Sequence, residues 1–243
     1  MTIADRDRSR VYEQPAWDAA GEGARRPGGL ALTGRALTLC RLPPGARLLD
    51  VGCGAGATVA LAARRGYACL GVDPSAALLE RARQAHGHLA LLRAPAERLP
   101  LASGVVDAAL IECTLSVVPD RDGALEEIRR VLRAGGALIA SDVYARNPAG
   151  LAALRQLPIG ACLGGAQSEQ EIAGMLRAHG FRLHIWEDHS EALKALAARM
   201  SAACGGPAAL WGAAAAAYPF DLQLALARAR PGYYLLVATK SAG

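Results

Sequence analysis

The chain has 243 residues, of which 52% are hydrophobic, and it carries a formal net charge of +5. This length and apolar share are typical of one large α/β domain with a well-buried core. The sequence contains no run of eighteen apolar residues, and its charged N-terminus lacks the apolar segment of a signal peptide. We therefore expect a cytoplasmic protein with no membrane partner.

The positive charge comes almost wholly from arginine, since Lys194 and Lys240 are the only lysines. The arginines are scattered over predicted helix faces and do not alternate with aromatic residues, so no nucleic-acid partner is expected. Six cysteines occur without a C-x-x-C pair. Their spacing argues against a zinc ribbon, a thioredoxin-type site or a disulfide framework, and no metal site is predicted. The sequence does not predict the oligomeric state.

Residues 1–28 are polar, with Tyr12 and Trp17 as their large apolar groups. Two interpretations stay open for this segment: a flexible leader, or a lid that folds over a ligand and covers a cation with an aromatic ring. Apolar residues then recur at helical spacing over residues 30–40, and the Pro-Pro-Gly at 43–45 ends that helix.

The stretch LLDVGCGAG, residues 48–56, organises the rest of the chain. An apolar run, a glycine-rich turn and a helical pattern predict a strand, a tight loop and a helix N-terminus, where backbone can approach a nucleotide-like ligand. Asp73 ends the next apolar run, where its carboxylate can accept both hydroxyls of a ribose. A nicotinamide cofactor fits this pattern too. Asp50, beneath the loop, favours a cationic ligand over a pyrophosphate.

The later pattern alternates strands and helices. The strands after the glycine loop are predicted at 68–72, 89–93, 105–111, the segment after the glycine turn in RAGGALIASDVY, 181–186 and the closing GYYLLVATK. The helices are predicted at 58–65, from a cap at Ser75 to near 84, from Asp120 onward, after a Ser168–Glu171 capping box, at 191–200 and in an Ala-rich hairpin within 207–230. This alternation predicts parallel strands with helices on both faces. Gly52, Asp73, Cys113 and Asp142 then converge at the carboxyl ends of the strands.

The D-x-G-x-G-x-G form of residues 50–56 resembles motif I of the class I S-adenosylmethionine (SAM) methyltransferases. This resemblance implies a Rossmann-like, doubly wound sheet of seven strands in the order 3-2-1-4-5-7-6, with the last strand antiparallel and helices on both faces. It also implies a single domain over residues 29–243, in which 145–167 and 187–230 are substrate-side insertions. The implied cofactor is SAM, and the implied acceptor is a small molecule.

The same resemblance implies a set of cofactor-binding residues, namely Asp50, Gly52, Cys53, Gly54, Gly56, Asp73, Pro74, Ala96, Glu97 and Glu112. The family's adenine loop usually has an aspartate where this chain has Pro95. We therefore expect adenine to be held by the backbone near Ala96 and by packing from Leu99. Glu97 is either a further contact or an exposed loop charge. Glu112, Cys113 and Thr114 are expected to face the methyl group of the cofactor.

The second half of the chain resembles the arsenite methyltransferases in the segments ECTLSVVPD, SDVY and CLGGA, the last at residues 162–166. The resemblance implies that Cys162 is a ligand of trivalent arsenic and that Cys204 is the second thiolate. A third family cysteine, just past the glycine loop, is absent. Trivalent arsenic is thiophilic, and two thiolates can hold it with its lone pair directed at the methyl group. The alternative is that these cysteines are small buried hydrophobic residues.

Other functions also stay open at this stage. An oxygen, nitrogen or carbon acceptor, such as a quinone or a lipid, would need a base, for which His189 is the first candidate, followed by Asp188 and Tyr144. His189 could equally be a hydrogen-bonded structural residue. A nicotinamide-dependent oxidoreductase and a non-catalytic SAM-binding protein are the hypotheses from other classes.

Overall fold

The computed structural model describes residues 10–14, 17, 24–157, 159–204 and 218–241, with backbone alone for residues 10, 203 and 204. Its centre is one sheet of eight strands: β1 Arg47–Val51, β2 Ala68–Asp73, β3 Ala90–Arg93, β4 Val106–Glu112, β5 Leu132–Ala145, β6 Gln167–Ser168, β7 Phe181–Asp188 and β8 Pro231–Lys240. The strands run in the order β3-β2-β1-β4-β5-β8-β7, and the short β6 pairs with β5. This order confirms the predicted one, because β6 only shifts the numbering of the last two strands.

The described helices are α1 Gly29–Cys40, α2 Ala57–Arg64, α3 Ala76–His86, α4 Arg121–Val131, α5 Leu151–Gln156, α6 Glu169–Ala178, α7 Ser190–Cys204 and α8 Pro219–Ala229, with 3-10 turns at Arg10–Glu13, Pro148–Gly150 and Cys162–Gly165. The predicted helix starts are confirmed by their caps. Ser75 accepts a hydrogen bond from the Leu78 amide at 3.2 Å. Asp120 caps α4, and Ser168 forms the capping box of α6 with Glu171.

Helices cover both faces of the sheet, as the alternation predicts. Leu48 of β1 packs into one apolar cluster with Leu37 of α1, whereas the adjacent Leu49 packs into another with Leu125 of α4. Successive side chains of a strand point to opposite faces, so a single buried strand supplies both cores. Strand β8 is antiparallel to both β5 and β7, which lie on either side of it.

The structure differs from the predicted elements at two places. Strand β5 begins at Leu132 and runs through the glycine pair that was expected to form a turn before it. Gly135 has φ +68°, and a Cβ on Gly136 would lie 2.9 Å from the Arg133 oxygen, so the pair makes a close-packed irregularity within the strand. Residues 145–167, expected to be irregular, contain α5 and two 3-10 turns.

The predicted Ala-rich hairpin within residues 207–230 is described only from residue 218, and its second half forms α8. Residues 205–217 lie outside the described part of the chain. Among the helices that the structure describes, none is long and apolar enough to cross a bilayer.

Candidate active site

A cavity of about 330 Å³ opens at the carboxyl ends of β1, β2 and β4. Eight of the ten residues predicted to bind the cofactor line it: Gly52, Cys53, Gly54, Asp73, Pro74, Ala96, Glu97 and Glu112. Pro95, which replaces the family's aspartate, lines it as well. The topology thus brings together residues from four separate loops, as expected for an open parallel sheet.

The three loop glycines have different roles. All have positive φ, at +75°, +51° and +80° for Gly52, Gly54 and Gly56, which favours glycine at each position. A Cβ on Gly52 would lie 2.2 Å from Thr114 Oγ1, whereas one on Gly54 would meet nothing within 4 Å. Gly54 therefore leaves open space at the cavity wall. Gly56 does not line the cavity, and a Cβ there would instead lie 2.9 Å from Leu89 Cδ1 and 3.1 Å from Ala82 Cβ of α3.

Asp73 is buried and held in place by backbone amides. Its Oδ2 accepts a hydrogen bond from Gly54 N at 2.9 Å and its Oδ1 from Ser75 N at 2.8 Å. Burial raises the pKa of Asp73, and these two amide bonds oppose that rise. Each carboxylate oxygen still has lone-pair capacity for a hydroxyl donor. The side chain is thus held in a fixed orientation at the cavity wall.

An ion pair that the sequence did not predict lies beside the cavity. Arg26 Nη2 contacts Glu112 Oε2 at 2.8 Å, and both side chains are almost fully buried. Thr58 donates to the same Oε2 at 2.9 Å, and Thr33 donates to Oε1 at 2.8 Å. Burial, the largest single influence, lowers the pKa of Arg26, but the negative charges of Glu112 and Asp50 together with Tyr233 and Cys113 outweigh it, so the pKa is raised overall. Arg26 was assigned to the polar leader because no periodicity marks it.

The charges around Arg26 do not balance. Asp50, Asp73 and Glu112 are all buried carboxyl groups, and Asp50 lies behind the cavity wall without lining the cavity. Burial, together with the charge of Glu112, raises the pKa of Asp50 to about 8. Asp50 Oδ2 and Arg26 Nε are both buried without a hydrogen-bond partner in the described part of the chain. Among the residues that line the cavity, four acids (Glu13, Asp73, Glu97 and Glu112) stand against two arginines (Arg25 and Arg26), and this excess favours a ligand that carries positive charge.

A second group of side chains lies at the edge of this cavity. The Sγ atoms of Cys113 and Cys162 and a carboxylate oxygen of Asp142 lie within 4.8 Å of one another, and all three residues are buried. Cys113 Sγ lies 3.2 Å from the Tyr233 hydroxyl. The Tyr12 hydroxyl accepts a hydrogen bond from Cys162 N at 3.3 Å. The two thiols of this cluster are donors that suit a soft ion.

The thiols of Cys113 and Cys162 border two cavities. Cys113 and Tyr12 line the large cavity and also an adjoining one of about 10 Å³, whose wall includes Cys162 and Trp17. Cys113 itself has φ +50°, and Ala161, next to Cys162, has φ +56°. Positive φ at non-glycine residues stores backbone strain, which concentrates at functional sites. Burial raises the pKa of the Cys113 thiol well above its usual range, so this thiol is protonated in the free protein.

The structure brings Cys162 to Cys113, whereas the sequence resemblance paired it with Cys204. The Cys204 side chain lies outside the described part of the chain, so that pairing stays a prediction. Spacing along the sequence could not identify the Cys113 contact, because 49 residues separate the two thiols. The topology accounts for only part of this group, because the pairing of β4 with β5 brings Cys113 close to Asp142.

The candidate bases do not line either of these two cavities. His189 Nε2 lies 2.8 Å from Glu187 Oε2, which also accepts a hydrogen bond from Arg35 Nε at 2.7 Å. Asp188 accepts a hydrogen bond from the Ser190 amide at 2.7 Å. Tyr144 packs edge-on against Trp186 with ring centroids 5.3 Å apart. These contacts are typical of structural side chains.

The glycine loop, the fixed Asp73 and the cation-favouring acids define a nucleoside-binding domain of the doubly wound class. The family described as "Methyltransferase domain" matches residues 49–140. An uncharacterized methyltransferase of Bacillus subtilis, YodH, is 30% identical over 166 residues, which are 67% of this chain and 71% of that protein. The chain therefore belongs to the class I SAM-dependent methyltransferases, whose cofactor is SAM. This membership replaces the nicotinamide hypothesis.

Two further similarities bear on the acceptor. An arsenite methyltransferase of Aquipseudomonas alcaligenes is 39% identical over 84 residues, 34% of this chain, and the match spans 24% of that protein's length. The crystal structure of the [4+2]-cyclase SpnF superposes with a TM-score of 0.74 at 25% identity, covering 100% of this chain and 98% of that one. These similarities leave the acceptor of this chain undetermined.

Proposed function

We propose that this methyltransferase acts on trivalent arsenic of the arsenite type, held by the thiols of Cys113 and Cys162. The observation that carries the proposal is the cluster of two thiols and Asp142 within 4.8 Å, of which Cys113 lines the cavity that contains the glycine loop and Cys162 lines the small cavity next to it. The partial similarity to an arsenite methyltransferase supports it.

The residues around the large cavity fit the cofactor in charge and in shape. Asp73 would accept the ribose hydroxyls, and the open space at Gly54 would admit the nucleoside close to the backbone. Arg26 would bind the carboxylate of the methionine moiety, while Asp50 and Glu112 would favour its positive charges. When bound, SAM supplies a methyl group that is already activated by the positive sulfur. The chain then has to supply proximity and orientation.

The chemistry of the thiol group suits an inorganic acceptor. Arsenous acid, As(OH)₃, condenses with two thiols to form two As–S bonds, and the two thiol protons leave with two hydroxides as two water molecules. The protonated state of the buried Cys113 is therefore no obstacle. Arsenic keeps a lone pair as the nucleophile, so no general base is needed. The adjoining cavity of about 10 Å³ is close to the size of a single heavy atom.

We also propose that residues 1–28 form a lid over both ligands. The described part of this segment supports the proposal, because Tyr12 and Glu13 both line the large cavity. Glu13 accepts a hydrogen bond from Ser75 Oγ at 2.7 Å, beside Asp73, and Tyr12 contacts Cys162. A single turn of chain thus reaches the predicted ribose site and the predicted acceptor site.

Two rival functions differ from this proposal in ways that can be measured. An organic oxygen, nitrogen or carbon acid would require a base, and His189, the first candidate, is hydrogen-bonded to Glu187 and does not line the large cavity or the adjoining one. A protein that binds SAM without transferring methyl, or that uses this fold for another reaction as the similar cyclase does, would bind the cofactor and give no methylated product.

The decisive experiment compares the wild type with Cys113→Ser and Cys162→Ser, with Cys40→Ser as the control thiol. Mass spectrometry measures methylated arsenic, and calorimetry measures SAM affinity. We expect both site variants to lose methylation while SAM affinity stays within about twofold, a difference of roughly 0.4 kcal/mol. Cys40→Ser should retain activity, because Cys40 lines neither cavity. Wild-type rates in Cys113→Ser would refute the proposed acceptor site.

A further inference from the structure

The two turns that carry the thiols are in direct backbone contact. Cys162 begins a 3-10 turn that ends at Gly165, and Cys113 lies three residues before Ser116. A Cβ on Gly165 would lie 1.8 Å from the Ser116 carbonyl oxygen, so only glycine permits this approach. Because the two turns come from distant parts of the chain, their relative position depends on side chains that contact both of them.

Arg121 bonds to both turns at once. Its Nε donates to the Leu115 carbonyl oxygen at 2.9 Å, and its Nη2 donates to the Ser116 oxygen at 3.1 Å. The same Nη2 donates to the Gly165 oxygen at 2.6 Å. Arg121 is the first residue of α4, so its backbone is anchored by a capped helix. The planar guanidinium therefore bridges two loops from a fixed base.

Hydrogen bonds connect this bridge to Asp142, which lies beside the two thiols. Ser116 N donates to Asp142 Oδ2 at 2.9 Å, and Ser116 Oγ donates to Asp142 Oδ1 at 2.8 Å. The Ser116 peptide is thus held by Arg121 through its carbonyl and by Asp142 through its amide and hydroxyl. Asp142 is thus linked to this guanidinium through Ser116, Cys113 through the turn that contains Leu115 and Ser116, and Cys162 through the 3-10 turn that ends at Gly165.

We propose that Arg121 is a positioning residue that fixes the distance between the Cys113 and Cys162 thiols by joining their two turns. The benefit of this positioning for catalysis rests on the proposed function, but the effect of Arg121 on the distance between the thiols can be measured whether or not that function is correct. The role requires the forked geometry of arginine, because the three carbonyl oxygens are bonded from two separate nitrogens of a rigid planar group, whereas all three donors of an ammonium group radiate from one nitrogen. Lysine should therefore fail as a substitute even though it retains the charge.

The test measures the thiol pair directly in the full chain. Because both thiols are buried and the raised pKa of Cys113 keeps it protonated near neutrality, labelling is followed at alkaline pH over hours. Dibromobimane joins two neighbouring thiols and becomes fluorescent, whereas iodoacetamide labels single thiols. Cys113→Ser identifies the part of the bimane signal that comes from this pair, since Cys53 and Cys69 are also close together. The variants are Arg121→Lys and Arg121→Gln. Arg133→Gln is the matched control, because Arg133 pairs with Asp107 at 2.7 Å away from both cavities.

We expect the ratio of cross-linking to single labelling to fall about tenfold in Arg121→Lys and in Arg121→Gln, the equivalent of about 1.4 kcal/mol. Arg133→Gln should leave it unchanged, and SAM affinity should be retained in all variants. An unchanged ratio in Arg121→Gln, or full retention in Arg121→Lys, would overturn the inference. Equal rises in both labelling rates would also overturn it, because they would indicate general loosening.

The outcome separates this inference from the proposed acceptor. If wild-type protein neither binds nor methylates arsenite while the ratio still depends on Arg121, the acceptor is wrong and the positioning role stands. If arsenite is methylated at equal rates by wild type and Arg121→Gln, and the ratio is unchanged, the acceptor stands and Arg121 has only a structural role.

Discussion

The pH dependence of cofactor binding should report the state of Asp50. With its pKa at about 8, this carboxyl group is largely protonated at neutral pH in the free protein. A unit positive charge bound about 6 Å away, at an effective dielectric constant of about 20, would favour the ionised form by about 3 kcal/mol. That energy corresponds to a downward pKa change of about two units. SAM binding should therefore expel a proton from Asp50.

The expected result is a SAM affinity that rises up to about tenfold per pH unit between about pH 6 and pH 8 and then levels off. Calorimetry in buffers of different ionisation enthalpy should detect release approaching one proton near neutral pH. Asp73 also has a raised pKa, and Arg26 and Glu112 lie in the same cluster, so Asp50→Asn is needed to assign the effect. A pH slope that persists in Asp50→Asn would refute the assignment.

Asp50 should also make the stability of the unliganded protein depend on pH, but with the opposite sign from its effect on SAM affinity. The pKa of Asp50 is raised in the folded state from 3.8 to about 8, so the folded chain binds this proton more tightly than the unfolded chain does. The free energy of unfolding of the unliganded protein should then fall as pH rises from about 4 to 8, by up to about 1.4 kcal/mol per unit. Asp50→Asn should flatten this decline in urea titrations, and an unaltered decline would count against it.

Two further predictions concern buried contacts. Arg26→Met should lower the free energy of unfolding by about 3–5 kcal/mol in urea titrations, because Glu112 is left buried without its cation. The exposed Arg35–Glu187 pair is the control, and a loss as large in Arg35→Met would contradict the reasoning. Gly165→Ala should lower the melting temperature, with a cost of about 1–3 kcal/mol from the clash with Ser116. Gly174→Ala, in open space on α6, should instead stabilise by about 0.5–1 kcal/mol, and destabilisation by both variants alike would refute the argument from packing.

The cofactor half of the site could be predicted from the sequence because its signals are local. The glycine loop and Asp73 each stand at the end of an apolar run, and the alternation of elements predicts a parallel sheet, whereas the strand order was implied only by the resemblance to the class I SAM methyltransferases. Local signals fail for Arg26, because its partner Glu112 is 86 residues away and nothing in RRPGG marks a buried cation. Burial of a charge depends on tertiary packing, which no periodicity reports.

The acceptor half was harder to predict for a related reason. Cys162 was identified by resemblance, but its contact with Cys113 depends on how two loops pack, and that packing is determined by Gly165 and Arg121. His189 shows the converse case. A histidine at a strand end suggested a base, but its ring forms a hydrogen bond with Glu187. Neither the spacing of the two residues in the sequence nor their residue types reveals this hydrogen bond.

The position of β8 has a consequence for how the protein is made. Residues 231–240 are translated after every other strand, yet they insert between β5 and β7 and bring the Tyr233 hydroxyl to Cys113. While the ribosome is still short of that segment, β5 and β7 present unpaired edges to each other and to other nascent chains. The strands that carry the glycine loop and Asp73 can fold during synthesis, but the contact between Tyr233 and Cys113 forms only after β8 has inserted between β5 and β7.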